Sequence, residues 1–145
     1  ADCVPVLFCD TETHAVGVCH SGWRGTVQKI SAEVVRKMEK EFGTKPENLH
    51  AVIGPHIGKC CFEVDEPVHL EFLAAFSENG GFSEKCGEKY HIDLTAAILK
   101  TLEKEGVRNI ESMENCTVCE RETFFSHRKT GGRRGCFGAV IVRKE

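Results

Sequence analysis

No stretch of this sequence approaches the roughly 18 consecutive apolar residues that a membrane-crossing helix needs, so no transmembrane segment is expected. Positive charge is not in excess: 19 Lys and Arg against 22 Asp and Glu leave a formal net charge of -3. That balance gives no electrostatic reason to expect a nucleic-acid backbone or an anionic membrane as partner. Internal repeats, low-complexity tracts and linkers are also missing, which leaves a single domain with mixed helices and strands, α/β or α+β, as the economical reading. What is present fits that reading. The 145 residues are 41% hydrophobic and 28% charged, as in a compact soluble domain. A domain of this size buries roughly 68–70% of its unfolded surface and needs no metal or disulfide merely to fold.

The nine cysteines therefore need a different explanation. Their number is odd, their spacing is not that of a secreted disulfide scaffold, and no charged-then-apolar leader opens the sequence. A reducing, cytoplasmic setting is expected. Several thiols sit in apolar runs such as Val4 to Cys9 and Val16 to Cys19, where cysteine behaves as a small buried hydrophobe. The sequence begins at Ala1 with a strand-like segment following at once, so residues 1–145 are expected to be one domain that has lost an N-terminal segment.

Val4 to Phe8 and Ala15 to Cys19 read as two strands joined by a tight turn at Thr11 to Thr13. Paired antiparallel, they bring Cys3 and His20 side by side. Gly25 to Phe42 carries Val27, Ile30, Val34, Met38 and Phe42 at helical spacing, with Gly43 as its stop. Leu49 to Ile53 is a strand, Gly54 to Cys61 a glycine-punctuated loop, Asp65 to Ser77 a helix, and Asn79 to Lys89 a surface loop. Asp93 caps a helix with Leu94, Ala97, Ile98 and Leu102 inward, stopped at Gly106. Val107 to Met113 and Phe137 to Val142 are the last expected strands, separated by a glycine- and arginine-rich turn over Thr130 to Gly135.

A thiol and an imidazole at neighbouring strand ends suit Zn²⁺ or copper, and they also suit a nucleophilic cysteine with its base. Spacing alone leaves both open. Cys116-x-x-Cys119 is open to being half of a zinc-ribbon site with Cys60-Cys61 or Cys86 as the rest, but a second Cys-x-x-Cys is missing and adjacent cysteines seldom both hold one ion. Cys60 and Cys61 are therefore expected to line a pocket or pack beneath it. Arg24 is open to a buried ion pair with Asp2 or Glu63, and Arg128 to Arg134 to a solvated turn.

Three long words carry a resemblance: Ala1-Asp2-Cys3-Val4-Pro5-Val6-Leu7-Phe8, His20-Ser21-Gly22-Trp23-Arg24-Gly25, and Ile53-Gly54-Pro55-His56-Ile57-Gly58-Lys59-Cys60-Cys61-Phe62-Glu63-Val64. With Cys116-Thr117, Phe124-Phe125-Ser126-His127-Arg128 and Gly132-Arg133, they make the chain resemble the YfiH family, also called the polyphenol-oxidoreductase laccase family. The resemblance implies an α-β-β-α layered sandwich with mixed sheets, related to the catalytic domain of cytotoxic necrotizing factor. It implies a metal site of one Cys and two His, whose cysteine falls on Cys3 and whose later histidine falls on His20. The family's other histidine lies upstream of the Ala-Asp-Cys word, so its counterpart here would come from a preceding segment, from His56 or from a second chain. His127 stands where the family more commonly has Tyr.

The activity implied is a metal-dependent purine nucleoside enzyme: phosphorolysis of adenosine, inosine and methylthioadenosine, and adenosine deamination. Cys3 and His20 are the expected catalytic and metal residues, and Arg24, Arg128, Cys61 and Glu63 the expected substrate contacts. Zinc is the expected metal, with copper as alternative; purine nucleosides and phosphate are the expected partners. Copper-dependent oxidation of phenols, a Cys3–His20 hydrolase or deamidase, and a non-catalytic fragment remain as alternatives. A strand edge left bare by a missing segment would favour a homodimer.

Overall fold

A computed structural model describes residues 1–76 and 81–144. The chain forms β1 (Val4–Asp10), β2 (Val16–Ser21), α1 (Trp23–Val27), α2 (Ile30–Phe42), β3 (Leu49–Ile53), β4 (Glu63–Val64), α3 (Glu66–Ala75), β5 (Ser83–Cys86), β6 (Lys89–Ile92), α4 (Leu94–Lys104), β7 (Asn109–Ser112) and α5 (His127–Thr130). The class is α+β, with a four-stranded sheet ordered β2-β1-β3-β7 and a three-stranded sheet ordered β4-β6-β5. β1 pairs antiparallel with both β2 and β3, whereas β3 and β7 are parallel.

Alternation decides how the larger sheet packs. Val4, Val6 and Phe8 on β1 and Leu49, Ala51 and Ile53 on β3 are buried, while Pro5, Leu7 and Cys9 are half-buried on the other face. The buried side joins one cluster with Val35 and Met38 of α2 and Ala97, Ile98 and Leu102 of α4. α4 begins where the sequence places it, because the Asp93 carboxylate accepts the Ala96 N–H at 2.9 Å and satisfies an otherwise unpaired helical donor.

The β1–β2 turn is held by Asp10, which is fully buried. Its carboxylate accepts the N–H groups of Glu12 and Thr13 and the Thr13 hydroxyl at 2.8, 3.2 and 2.7 Å. Burial pushes this carboxyl up, but the donors of Thr13, Glu12 and Thr44 outweigh it and hold the pKa below the ordinary value of 3.8. A depressed folded-state pKa contributes stability above the unfolded value and loses it as pH falls through the folded one. The hairpin is therefore expected to loosen only below about pH 4. Amide exchange at Glu12 and Thr13, followed against pH, should show protection lost in that acid window, and an Asp10→Asn variant should lack the transition.

Four expectations change. The helix from Gly25 to Phe42 is two helices, because Lys29 takes a left-handed conformation at φ 57° and breaks the ladder between them; Phe42 is 58% exposed rather than core. The expected loop up to Lys89 instead contains the β5–β6 hairpin, turned at Gly87 with φ 62°. Ser77, the expected end of the Asp65 helix, and Asn79 and Gly80 of that expected loop lie outside the described residues. Phe137 to Val142 is extended but joins neither sheet among the described residues, with Val140 86% and Val142 75% exposed. Phe137, Ala139 and Ile141 are half-buried, with the Phe137 ring 5.7 Å from that of Phe124, without ladder pairing to either sheet.

Candidate active site

The β1–β2 register sets the site. Val4 faces Ser21 and Pro5 faces His20, so the residue before β1, Cys3, comes beside the turn into α1 at Gly22. A Cβ placed on Gly22 would lie 3.0 Å from Cys3 Sγ and 3.7 Å from His20 Nε2. The two donor atoms therefore converge over the one residue there that has no side chain. Gly22→Ala should push the Cys3 sulfur away, because a Cβ contact at 3.0 Å requires a shift. The expected result is unchanged circular dichroism with metal affinity at this pair lowered roughly 10–100-fold, the cost of disturbing the groups that orient ligands; unchanged affinity would show that the pair does not act together.

Cys3 forms part of the walls of two neighbouring clefts, of about 270 and 320 Å³. The smaller one runs between Val18, His20 and the extended segment at Phe137 to Ala139. The larger one has Trp23, Phe62, Ile57 and Leu94 as its apolar walls and His127, Arg128 and Arg134 at its polar side. Burial raises the Cys3 thiol above its ordinary value. A free nucleophilic cysteine needs the opposite shift.

Asp2 pins this region together. Its φ is 72°, its carboxylate accepts the Thr117 hydroxyl and the Arg128 N–H, each at 2.7 Å, and its carbonyl accepts the Ile57 N–H at 3.0 Å. The alternative of an ion pair between Asp2 and Arg24 is not formed; the Asp2 carboxylate instead bonds Thr117 and Arg128 in the chain's last third.

The other expected site residues scatter. Arg128 lines the larger cleft, with its guanidinium 5.8 Å from the Phe62 ring and its Nη1 donating to the Cys61 carbonyl at 3.4 Å. Arg24 is exposed and lines neither cleft; its guanidinium lies over the Trp23 ring at 4.3 Å, where it backs a cleft wall. Glu63 belongs to β4, and its carboxylate faces Lys89 and His91 at 3.9 Å on the surface. Cys61 leaves the cleft because the Cys61 and Phe62 N–H groups both fold back onto the Gly58 carbonyl at 2.9 Å. That turn sends Phe62 into the cleft and Cys61 toward Cys60, Cys116 and Cys119.

His56 is buried with both ring nitrogens engaged, Nδ1 to the Gly54 carbonyl and Nε2 to the Thr95 hydroxyl, each at 2.9 Å. The carbonyl must accept, so Nδ1 carries the proton and Nε2 accepts from Thr95. Burial also lowers its pKa. Neither nitrogen is free to replace a metal ligand. Arg134 was missed as a site residue: the sequence offered the adjacent Arg133 and Arg134 in one turn, and only the fold shows that Arg134 lines the cleft beside Arg128.

The family described as multi-copper polyphenol oxidoreductase laccase matches residues 1–144. The purine nucleoside phosphorylase YfiH of Escherichia coli strain K12 is 38% identical over 139 residues, covering 94% of this chain and 56% of that protein. The adenosine deaminase RL5 of an unknown prokaryotic organism is 39% identical over 148 residues, covering 99% and 56%. The crystal structure of Bacillus licheniformis hypothetical protein YfiH superposes with a TM-score of 0.85 at 36% identity, over 92% of this chain and 51% of that one. YlmD from Geobacillus stearothermophilus gives 0.84 at 34% identity, over 93% and 52%. The chain thus spans between half and two thirds of the length of these relatives.

Proposed function

The chain belongs to the multi-copper polyphenol oxidoreductase laccase family, and from that premise we propose that it forms part of a metal-dependent purine nucleoside site, acting in phosphorolysis and in adenosine deamination. The observation that carries this is the approach of Cys3 Sγ and His20 Nε2 to one point over Gly22, with Cys3 also lining a cleft made of Trp23, Ile57, Phe62 and Leu94 together with His127, Arg128 and Arg134.

The donor set fits a borderline metal such as zinc in kind, since a thiolate and an imidazole are both among its ordinary ligands. The pair supplies two protein donors, and a catalytic zinc takes three, so a further donor must come from beyond it. Bound there, zinc would supply Lewis-acid chemistry at the reacting carbon's side of the cleft. The rest falls to the chain itself. Trp23 and Phe62, with Ile57 and Leu94, offer an apolar lining to a planar base. Arg128 and Arg134 offer fixed N–H forks to phosphate oxygens. The His127 imidazole, which also lines the cleft, is the group we assign to protonate a leaving purine.

This reading is supported by relatives named purine nucleoside phosphorylase and adenosine deaminase. Its test is base release from inosine or methylthioadenosine with and without phosphate, beside ammonia release from adenosine. Phosphate-dependent base release is expected. A folded, metal-loaded protein that does neither, yet oxidises a phenolic dye under oxygen with copper, would overturn it in favour of phenol oxidation. The proposal extends to a homodimer, because β2 lies at the edge of its sheet and unpaired edge groups invite another strand. Light scattering at the monomer mass would remove that part.

A further inference from the structure

Away from Cys3 and His20, four thiols that share no wall of either cleft come together. The sulfurs of Cys60, Cys61, Cys116 and Cys119 all lie within 4.8 Å of one another, with Cys119 at 3.7 Å from Cys60 and 3.6 Å from Cys61. A tetrahedral zinc with Zn–S bonds of about 2.3 Å places its sulfurs about 3.8 Å apart. A disulfide would require about 2.05 Å, and all four cysteines are free. No carboxylate or imidazole enters the group, and an all-sulfur set selects zinc, copper(I) or iron–sulfur chemistry over magnesium or calcium.

Two loops far apart in sequence are held in register to make this cluster. His56 and Cys116 form a parallel bridge, with the His56 N–H donating to the Asn115 carbonyl at 3.2 Å and the Thr117 N–H to the His56 carbonyl at 2.9 Å. Consecutive residues of a strand would point to opposite sides. Cys60 and Cys61 can face one point because they sit in the turn closed on the Gly58 carbonyl. The Gly58 N–H in addition donates to Cys116 Sγ at 3.3 Å, the kind of outer hydrogen bond that orients a metal ligand. A Cβ on Gly58 would sit 3.3 Å from both Cys116 Cβ and Cys60 Sγ. The glycine is what lets the loops approach.

We propose that Cys60, Cys61, Cys116 and Cys119 form a closed tetrathiolate zinc site with a structural role, clamping the loop that carries Phe62 to the segment that leads to Arg128. Loading transfers the thiol protons to solvent and leaves no open coordination position, so the site does not itself bind substrate. Its existence does not depend on the nucleoside reading, because it shares no residue with the Cys3–His20 pair.

The test is metal content of purified, reduced protein, measured in two variants. Cys3→Ser/His20→Ala is expected to keep about one zinc per chain, and Cys60→Ser/Cys119→Ser to lose it. Cobalt(II) in the first variant should give the intense sulfur-to-metal charge-transfer absorption of four thiolates. Gly58→Ala, with every thiol retained, should weaken zinc binding roughly 10–100-fold. The Cys3→Ser/His20→Ala cobalt spectrum decides the matter even where loss of Cys60 and Cys119 prevents folding. The proposal is overturned by absence of zinc from that folded variant after reconstitution, by a cobalt spectrum without thiolate bands, or by a disulfide among the four that persists under reductant.

Discussion

Cys3→Ser should reduce nucleoside turnover by more than the roughly 10–100-fold that loss of even an outer partner costs a metal site, while leaving the far-ultraviolet circular dichroism unchanged. The asymmetry between activity and fold has a structural basis. Cys3 precedes β1, its sulfur is only half-buried, and the core residues Val4, Val6 and Phe8 follow it on the strand. Little of the core depends on the thiol. His20→Ala should behave alike, and the double variant should be barely worse than either single one, since groups that act as a unit lose their joint function once. Alkylation separates the metal reading from a nucleophile reading. Zinc should protect Cys3 from iodoacetamide in wild type and fail to do so in His20→Ala. Rapid labelling of Cys3 that zinc leaves unchanged, with turnover abolished, would make Cys3 a nucleophile and sink the metal assignment.

The hairpin that brings Cys3 near His20 was legible because its signals are local: two apolar runs and a polar turn between them. The Asp93 cap was legible for the same reason, with one carboxylate set against a clear helical period. The β5–β6 hairpin was not, because Ser83, Glu84, Lys85 and Cys86 are short, polar and largely exposed, and only pairing with Lys89 to Ile92 makes them a strand. Lys29 breaks its helix at a left-handed φ that glycine would have signalled and lysine does not. Phe137 to Val142 failed in the other direction. Its apolar, β-branched run reads as a strand, but such a run becomes one only where a sheet edge pairs with it.

The site divides along the same line. Words contiguous in sequence contain Cys3, His20, His127 and Arg128, which the fold brings to the walls of the two clefts, whereas Arg134 lies outside those words and reaches the larger cleft through folding that no local pattern encodes. The four-cysteine cluster shows how a sound local rule can mislead. Adjacent cysteines rarely hold one ion because extended backbone separates them, but a turn at Gly58 removes that obstacle. Missing from the sequence was the conformation of the turn that brings the four thiols together.

Asp2→Ala should destabilise the protein by about 3–5 kcal/mol, the largest stability effect expected of any single change near the site. Two interactions are lost at once. The carboxylate receives the Thr117 hydroxyl and the Arg128 N–H at 2.7 Å each, and a charged acceptor contributes about 1.5–3 kcal/mol per bond. Thr117 is fully buried, so its hydroxyl would be left without a partner. Asp2 also holds φ at 72°, which aspartate tolerates better than alanine. Three variants divide these contributions. Asp2→Gly relieves the backbone while losing both bonds, so its difference from Asp2→Ala reads the strain. Asp2→Asn keeps the shape and one acceptor and should cost about half as much. Burial pushes the Asp2 carboxyl up, but the donors from Arg128, Thr117, Ser126 and His127 prevail and hold it below 3.8. Its contribution is therefore present above that value and lost as pH falls through the depressed one, and Asp2→Asn should flatten the acid limb of the stability curve. Because the same carboxylate joins the residue before Cys3 to the backbone of Arg128, turnover should fall with stability in Asp2→Ala. Unfolding curves for the three variants that coincide with wild type would show that the bridge from residue 2 to residue 128 contributes nothing to holding the site.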